Sequence, residues 1–122
     1  MSLIDPVALS QSLGQQLVCW AIDCAADVLA DETALSNVLT DLCTHRGLTI
    51  LGQIAHRYEP QGLTVGLILA ESHIIAHTWP EHKIAHIDFF SCIPFDTTAF
   101  TDDICRLFGA RHAQPLFKLG SG

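Results

Sequence analysis

Residues 63–92, LTVGLILAESHIIAHTWPEHKIAHIDFFSC, hold three predicted β-strands in succession, joined by short turns. The strands are expected over Leu63–Ala70, His73–Trp79 and Ile84–Cys92, and Pro80 ends the second of them. In the third strand, polar and apolar side chains alternate, which is the period of a strand with two unlike faces. Because strands joined by short turns pair antiparallel, this segment predicts an antiparallel sheet.

The segments on the N-terminal side add two strands and a helix. The strands are predicted over Gln16–Asp23 and Leu48–Tyr58, and residues 59–62 have the composition of a turn. Between the two strands, Asp31 can cap the start of a helix and Gly47 can end it. The apolar side chains of this helix recur at helical spacing and are Leu35, Val38, Leu39, Leu42 and Cys43.

The C-terminal segment adds one more helix and one more strand. The helix is predicted to be capped by Thr97 or Thr98 and to extend through Phe108. A final strand over Arg111–Leu119 is expected to be broken by Pro115. The inward-facing side chains of the helix are expected to be Ile104, Leu107 and Phe108.

The order strand, helix, four strands, helix, strand predicts an α+β fold. We expect a two-layer α/β sandwich in which an antiparallel-rich sheet carries its helices on one face. The other sheet face then needs a cover, and a second copy of the chain in a homodimer is the expected one. An apolar fraction of 49% and a mean hydropathy of +0.34 agree with a surface buried between subunits. Because no repeat or linker divides the 122 residues, the chain, residues 1–122, is predicted to be a single domain.

Charge and composition argue against several classes of function. Six Lys and Arg against thirteen Asp and Glu give a net charge of -7, which argues against a nucleic-acid or anionic-membrane surface. No apolar run reaches the roughly 18 residues of a membrane helix, and Met1–Pro6 lacks the features of a secretory signal. Five cysteines without CxxC spacing argue against a disulfide framework. A reducing, cytoplasmic location is therefore expected.

Polar residues are concentrated just after residue 70, and four of the seven histidines lie between 73 and 86. A metal site is one interpretation. On a strand, however, His73 and His77 lie about 13 Å apart, which is too far for one tetrahedral ion, and no metal is expected. A serine hydrolase is another interpretation, but Ser72 lacks the G-x-S-x-G turn of those enzymes.

A third interpretation rests on the joint spacing of several motifs. They are Glu71-Ser72-His73, His77-Thr78-Trp79-Pro80-Glu81, Asp88 and Cys92, with Ser12-Leu13-Gly14, His56-Arg57-Tyr58 and Pro60-Gln61-Gly62 upstream. In this pattern, over residues 12–95, the chain resembles the prokaryotic S-adenosylmethionine decarboxylase proenzyme family. The resemblance implies a pyruvoyl-dependent decarboxylase of S-adenosylmethionine that supplies the aminopropyl donor for spermidine synthesis. It also implies a homodimer whose site is shared between protomers.

The Glu71–Ser72 linkage can form the pyruvoyl cofactor from the chain itself. The Ser72 hydroxyl attacks the preceding carbonyl and turns the amide into an ester, and loss of the Ser72 α-proton then expels the ester oxygen. The resulting dehydroalanine hydrolyses to a pyruvoyl group, so the chain is cut between residues 71 and 72. The ketone forms a Schiff base with the substrate's amine and acts as an electron sink, as pyridoxal phosphate does elsewhere.

The resemblance also implies roles for individual residues. His77 is the expected base for the Ser72 α-proton, Cys92 the expected proton donor to the substrate's α-carbon, and Thr64 a helper in processing where the family usually has serine. Four residues are expected to bind the substrate. Tyr58 would stack on the purine, Glu81 would accept hydrogen bonds from the ribose hydroxyls, and Ile74 would line the pocket. Glu71 is the fourth.

The chain departs from the family pattern at a few positions, which are Gln15, Gln16, Thr64, Ile75 and Ile93. Two alternatives follow from these departures. The first is a pyruvoyl-dependent decarboxylase of arginine or ornithine, suggested by the changed residue beside Cys92. The second is a homologue that does not process itself and has a regulatory or binding role.

Overall fold

Six strands form one sheet in the structure, a computed structural model that describes residues 5–120 and, for residues 10–12, the backbone only. Their bounds are β1 Gln15–Ile22, β2 Ile50–Arg57, β3 Leu63–Leu69, β4 Ser72–Trp79, β5 Ile84–Ser91 and β6 His112–Leu119. The order across the sheet is β2-β3-β4-β5-β1-β6, and every neighbouring pair is antiparallel. The three strands predicted within residues 63–92 are confirmed as neighbours.

Four α-helices and one 3₁₀ turn accompany the sheet in residues 5–120. Their bounds are α1 Pro6–Leu13, α2 Ala26–Ala30, α3 Glu32–Thr44, α4 Thr97–Phe108 and the 3₁₀ turn Pro80–His82. The sequence predicts α3 and α4 but not α1 or α2. Helix α2 has only five residues, so it is too short to show an apolar period.

The predicted limits of α3 are confirmed. The carboxylate of Asp31 accepts hydrogen bonds from the backbone N–H groups of Thr33 (2.9 Å) and Ala34 (3.2 Å). These are two of the donors that a helix start leaves without an intrahelical partner. After the helix, Gly47 has φ 78, a left-handed conformation that glycine adopts without steric cost.

The start of α4 differs from the prediction. The cap is Asp96, whose carboxylate accepts from the Ala99 N–H at 3.0 Å, and Thr97 is already helical. An aspartate one residue earlier provides the acceptor that the threonines were expected to supply. Ile104 and Phe108 are buried as expected, Leu107 is half-buried against the core, and Phe100 is also buried.

Strand β6 is not broken at Pro115, contrary to the prediction. It runs through this residue with a register shift opposite Val18 and Cys19 of β1. Proline lacks an N–H and is tolerated on an edge strand or at a bulge, and β6 provides both.

The two faces of the sheet differ, which confirms the predicted α+β sandwich. The face covered by α2, α3 and α4 forms the core, in which side chains such as Leu67, Ile87 and Phe89 are fully buried. The opposite face, called here the open face, presents Ile54 and Ile68 at 71% and 60% exposure. A dimer that covers the open face stays a prediction.

No helix within residues 5–120 is long and apolar enough to cross a membrane. The interpretation of Met1–Pro6 rests partly on residues 1–4, which lie outside the described residues, as do residues 121 and 122. The prediction of a single domain over residues 1–122 therefore stays a prediction, although residues 15–119 supply all six strands of the sheet.

Candidate active site

The β3–β4 turn holds the Glu71–Ser72 linkage under backbone strain. Leu69 pairs with Ser72, so Ala70 and Glu71 are the two turn residues. Glu71 has φ 57, which is the left-handed region that residues with a Cβ adopt at a cost of about 1–2 kcal/mol. The strained residue is the one that precedes the predicted cleavage site.

Cys92 meets this turn from the neighbouring strand. Because β5 lies beside β4 and ends at Ser91, Cys92 is the first residue beyond the ladder. Its backbone N–H donates to the buried Ser72 Oγ at 2.8 Å, and its Sγ donates to the Ala70 carbonyl at 3.3 Å. Ala70, Glu71, Ser72 and Cys92 together are called here the turn cluster.

The loop after Cys92 is held by side-chain hydrogen bonds. The Ser91 hydroxyl donates to the Ile93 carbonyl and accepts from the Ile93 N–H at 3.1 Å. The buried Gln15 amide donates to the Phe95 carbonyl at 2.8 Å and accepts from the Phe95 N–H at 3.1 Å. Gln15, a departure from the family pattern, therefore fixes the loop that carries Cys92.

A second group of predicted residues lies on the open face. Thr64 Oγ1 is 2.7 Å from His77 Nδ1, and the Tyr58 hydroxyl is 3.0 Å from Thr64 Oγ1. The register explains the first contact, because Thr64 of β3 pairs directly with His77 of β4. Tyr58, Thr64 and His77 are called here the histidine cluster.

A cavity of about 360 Å³ opens beside the histidine cluster. Tyr58, Thr64, His77, Trp79 and Glu81 are among its lining residues. It combines aromatic surface, hydroxyl groups, an imidazole and a carboxylate, which suits a polar ligand with an aromatic part.

His86 influences the electrostatics of this cluster. His86 pairs with His77 across β4 and β5, and the two rings lie 6.2 Å apart. Burial and the neighbouring His86 lower the pKa of His77 below its ordinary value of 6.5, against the opposing effect of the Asp88 carboxylate. His77 is therefore neutral at neutral pH.

One protomer does not bring the two clusters together. Ser72 and His77 are five residues apart on one strand, so their side chains point to opposite faces at a separation of about 16 Å. Ile74 is on the same face as Ser72 and is fully buried in the core, away from the histidine cluster. The structure therefore joins Ser72 with Cys92, and His77 with Thr64, Tyr58 and Glu81.

His86 and Gln15 are site residues to which the sequence interpretation gave no role. Pairing the two predicted strands across the 3₁₀ turn places His86 opposite His77, so the register was the signal for this contact. No comparable signal exists for Gln15, because its partner Phe95 is eighty residues away in a loop. Within residues 5–120, no group of three or more His, Cys, Asp or Glu side chains is arranged to hold a metal ion.

Known proteins resemble this chain over most of its length. The S-adenosylmethionine decarboxylase proenzyme of Synechococcus sp. (strain WH7803) is 42% identical over 80 residues, which cover 66% of this chain and 62% of that protein. The protein of the same name from Parasynechococcus marenigrum (strain WH8102) is 37% identical over 110 residues, 87% of this chain and 84% of that protein. The chain thus spans less than two thirds of the Synechococcus relative.

A solved structure shares the fold. The crystal structure of the adenosylmethionine decarboxylase from Aquifex aeolicus VF5 superimposes with a TM-score of 0.75 at 23% identity, covering 92% of this chain and 94% of that one. A family model described as S-adenosylmethionine decarboxylase matches residues 15–115, which include both clusters. The chain belongs to the S-adenosylmethionine decarboxylase family.

Proposed function

We propose that this chain cuts itself between Glu71 and Ser72 and becomes a pyruvoyl-dependent decarboxylase of S-adenosylmethionine. Family membership supports the activity, and the relatives named as proenzymes support a processing step. The observation that carries the proposal is the turn cluster, in which a left-handed Glu71 precedes a Ser72 hydroxyl held at 2.8 Å by the Cys92 N–H. The same named relatives favour S-adenosylmethionine over arginine or ornithine as the substrate.

The proposed cleavage balances without an external reagent other than water. Ser72 Oγ forms a bond to the Glu71 carbonyl carbon, the C–N bond breaks, and the hydroxyl proton passes to the nitrogen. Removal of the Ser72 α-proton then breaks the Cβ–O bond and releases the Glu71 carboxylate. Water replaces the nitrogen of the dehydroalanine as ammonia leaves, and the new terminus is a ketone. Strain at Glu71 favours this sequence because cleavage frees the left-handed residue.

The residues present fit such a group. The pyruvoyl ketone supplies an electron sink for the electrons left behind when carbon dioxide departs. Cys92 Sγ lies within 3.3 Å of the Ala70 carbonyl, beside the new terminus, and is our candidate donor of the proton that replaces the carboxylate. Tyr58 and Glu81 line the cavity and are our candidates to bind the purine and the ribose hydroxyls.

We further propose that two protomers complete each active site. Ser72 and His77 lie about 16 Å apart along β4 in one chain, so His77 cannot reach the Ser72 α-proton of its own chain. A homodimer that buries the open faces can place the histidine cluster of one chain against the turn cluster of the other. The exposed Ile54 and Ile68 support burial of this face.

Intact-mass spectrometry tests the cleavage. The purified chain is expected to convert into fragments of residues 1–71 and 72–122, and the second fragment is expected to resist Edman degradation because it lacks an N-terminal amine. Ser72→Ala should remain whole while keeping the circular dichroism spectrum of the parent. A parent chain that stays whole, with serine intact at residue 72, would refute the proposal. Release of labelled carbon dioxide from carboxyl-labelled S-adenosylmethionine, with arginine and ornithine in parallel, identifies the substrate.

Complementation tests the shared site. Ser72→Ala and His77→Ala chains, each uncleaved alone, are mixed by partial denaturation and refolding. In a mixed dimer, the His77→Ala chain still carries Ser72 and its partner still carries His77. Cleavage of the His77→Ala chain in the mixture is therefore expected. If neither chain is cut although mixed dimers form, each site belongs to one protomer.

A further inference from the structure

The histidine cluster is a chain of three groups that share protons. Tyr58 Oη, Thr64 Oγ1 and His77 Nδ1 are linked at 3.0 Å and 2.7 Å. Thr64 has one hydroxyl proton, so it can donate to only one of its two neighbours. If Thr64 donates to His77, Tyr58 donates to Thr64. If Thr64 donates to Tyr58, Nδ1 of His77 must carry a proton and donate to Thr64.

These two arrangements place the proton of the neutral imidazole on different nitrogens. In the first, Nδ1 accepts and Nε2 carries the proton, so His77 offers a donor to the cavity. In the second, Nε2 has the free lone pair and His77 offers a base. A phenol is a better donor and a poorer acceptor than an aliphatic hydroxyl because it is much more acidic. The first arrangement is therefore the more stable one.

We propose that the Tyr58 hydroxyl is a positioning group that sets the tautomer of His77 through Thr64. The hydroxyl bond engages only the edge of the Tyr58 side chain, so it does not compete with the proposed stacking role. Burial favours the neutral imidazole on which this effect acts. The catalytic consequence rests on the proposed function, but the tautomer itself does not. With the relay intact, His77 can donate at Nε2 and can return to the base form when the hydroxyl protons reverse.

The test is a long-range ¹H–¹⁵N correlation spectrum of the full chain, labelled with ¹⁵N and carrying Ser72→Ala so that all samples stay whole. The parent is expected to show mainly the Nε2–H form of His77 above its pKa. Tyr58→Phe keeps the ring and removes the hydroxyl. It should lower the ratio of Nε2–H to Nδ1–H forms by about twofold, because the bond in which the phenol donates is the stronger of the two that the substitution removes. Thr64→Val, which keeps the shape of threonine, should lower the ratio as well.

Thr64→Ser supplies the matched control, because it keeps the hydroxyl and should leave the ratio unchanged. A Tyr58→Phe chain with the parent's ratio would overturn the proposal. Cleavage rates of the same variants with Ser72 restored separate this inference from the proposed function. A changed tautomer in a chain that never cleaves supports the relay and contradicts the processing. Normal cleavage with an unchanged tautomer ratio supports the processing and contradicts the relay.

Discussion

The state of one imidazole ring controls the chemistry proposed for the open face. Proton removal by His77 needs the neutral ring, and the cause of its lowered pKa is burial together with the neighbouring His86. Activity that depends on neutral His77 is present above its pKa and is lost as the pH falls through it. In a plot of cleavage rate against pH, the rate is therefore expected to fall on the acid side, below pH 6.5, the ordinary pKa of histidine. This fall is called here the acid limb.

Replacing the neighbouring histidine should move this limb. In His86→Ala the repulsion between two imidazolium ions is absent, so the pKa of His77 rises and the acid limb shifts to higher pH. The measurement is the cleavage rate as a function of pH. His45→Ala, at an exposed position directly after α3 in the helix layer, serves as the control and should keep the parent profile. A limb that does not move in His86→Ala would show that His86 does not influence the reacting group.

At the scale of elements, the β3–β4 turn stores strain at the bond that is proposed to break. Glu71→Gly should stabilise the uncleaved fold by up to about 1 kcal/mol, because glycine adopts φ 57 without a steric penalty. The same relief removes a driving force for cleavage, so the cleavage rate should fall by about fivefold. Thermal unfolding in a Ser72→Ala background and the cleavage rate in the native background measure the two effects.

A matched control for the turn exists elsewhere in the chain. Lys83 has φ 55 after the 3₁₀ turn and lies away from the Glu71–Ser72 bond. Lys83→Gly should stabilise the fold by a similar amount without slowing cleavage. Equal slowing in both variants would mean that general stability, rather than local strain, controls the rate.

The loop after β5 depends on one buried amide. Gln15→Ala leaves the buried N–H and carbonyl of Phe95 without their partner, which should cost about 1–3 kcal/mol of unfolding free energy. Because this loop carries Cys92, cleavage should also slow. Urea denaturation and the cleavage rate are the measurements. Asn37→Ala removes an exposed amide of α3, in the helix layer, and should lower neither quantity. Parent-like values in Gln15→Ala would contradict the role of the Gln15–Phe95 hydrogen bonds.

Strand alternation and short turns made β3, β4 and β5 predictable, and Asp31 made the start of α3 predictable. The short helix α2 was not predictable because five residues show no period. Within the site, the pairing of Thr64 with His77 follows from register, whereas the contact of Gln15 with Phe95 joins distant segments and needs the tertiary structure. The odd spacing of Ser72 and His77 predicts that their side chains point to opposite faces of the sheet, as the structure shows.

For the molecule as a whole, the open face is the predicted dimer surface. Ile68→Lys places a charge at a position that is 60% exposed in one protomer and buried in the proposed dimer. It should give monomers in size-exclusion chromatography with light scattering, and those monomers should stay uncleaved because each lacks a partner's His77. Ala99→Lys, exposed on α4 in the helix layer, should remain dimeric and cleave. A dimeric, cleaving Ile68→Lys chain would place the subunit contact elsewhere.

The Glu71–Ser72 bond lies between two inner strands of the sheet rather than at its edge. A cut there leaves the ladder between residues 64–69 and 72–77 in place, so both pieces stay interlocked in the native molecule. Once the protein is thermally unfolded, however, the two fragments dissociate. Refolding then becomes a bimolecular reaction, whose rate falls on dilution. The uncut precursor folds as a tethered unit at any concentration. Heat damage to the mature protein should accordingly be irreversible in dilute solution, while the precursor recovers.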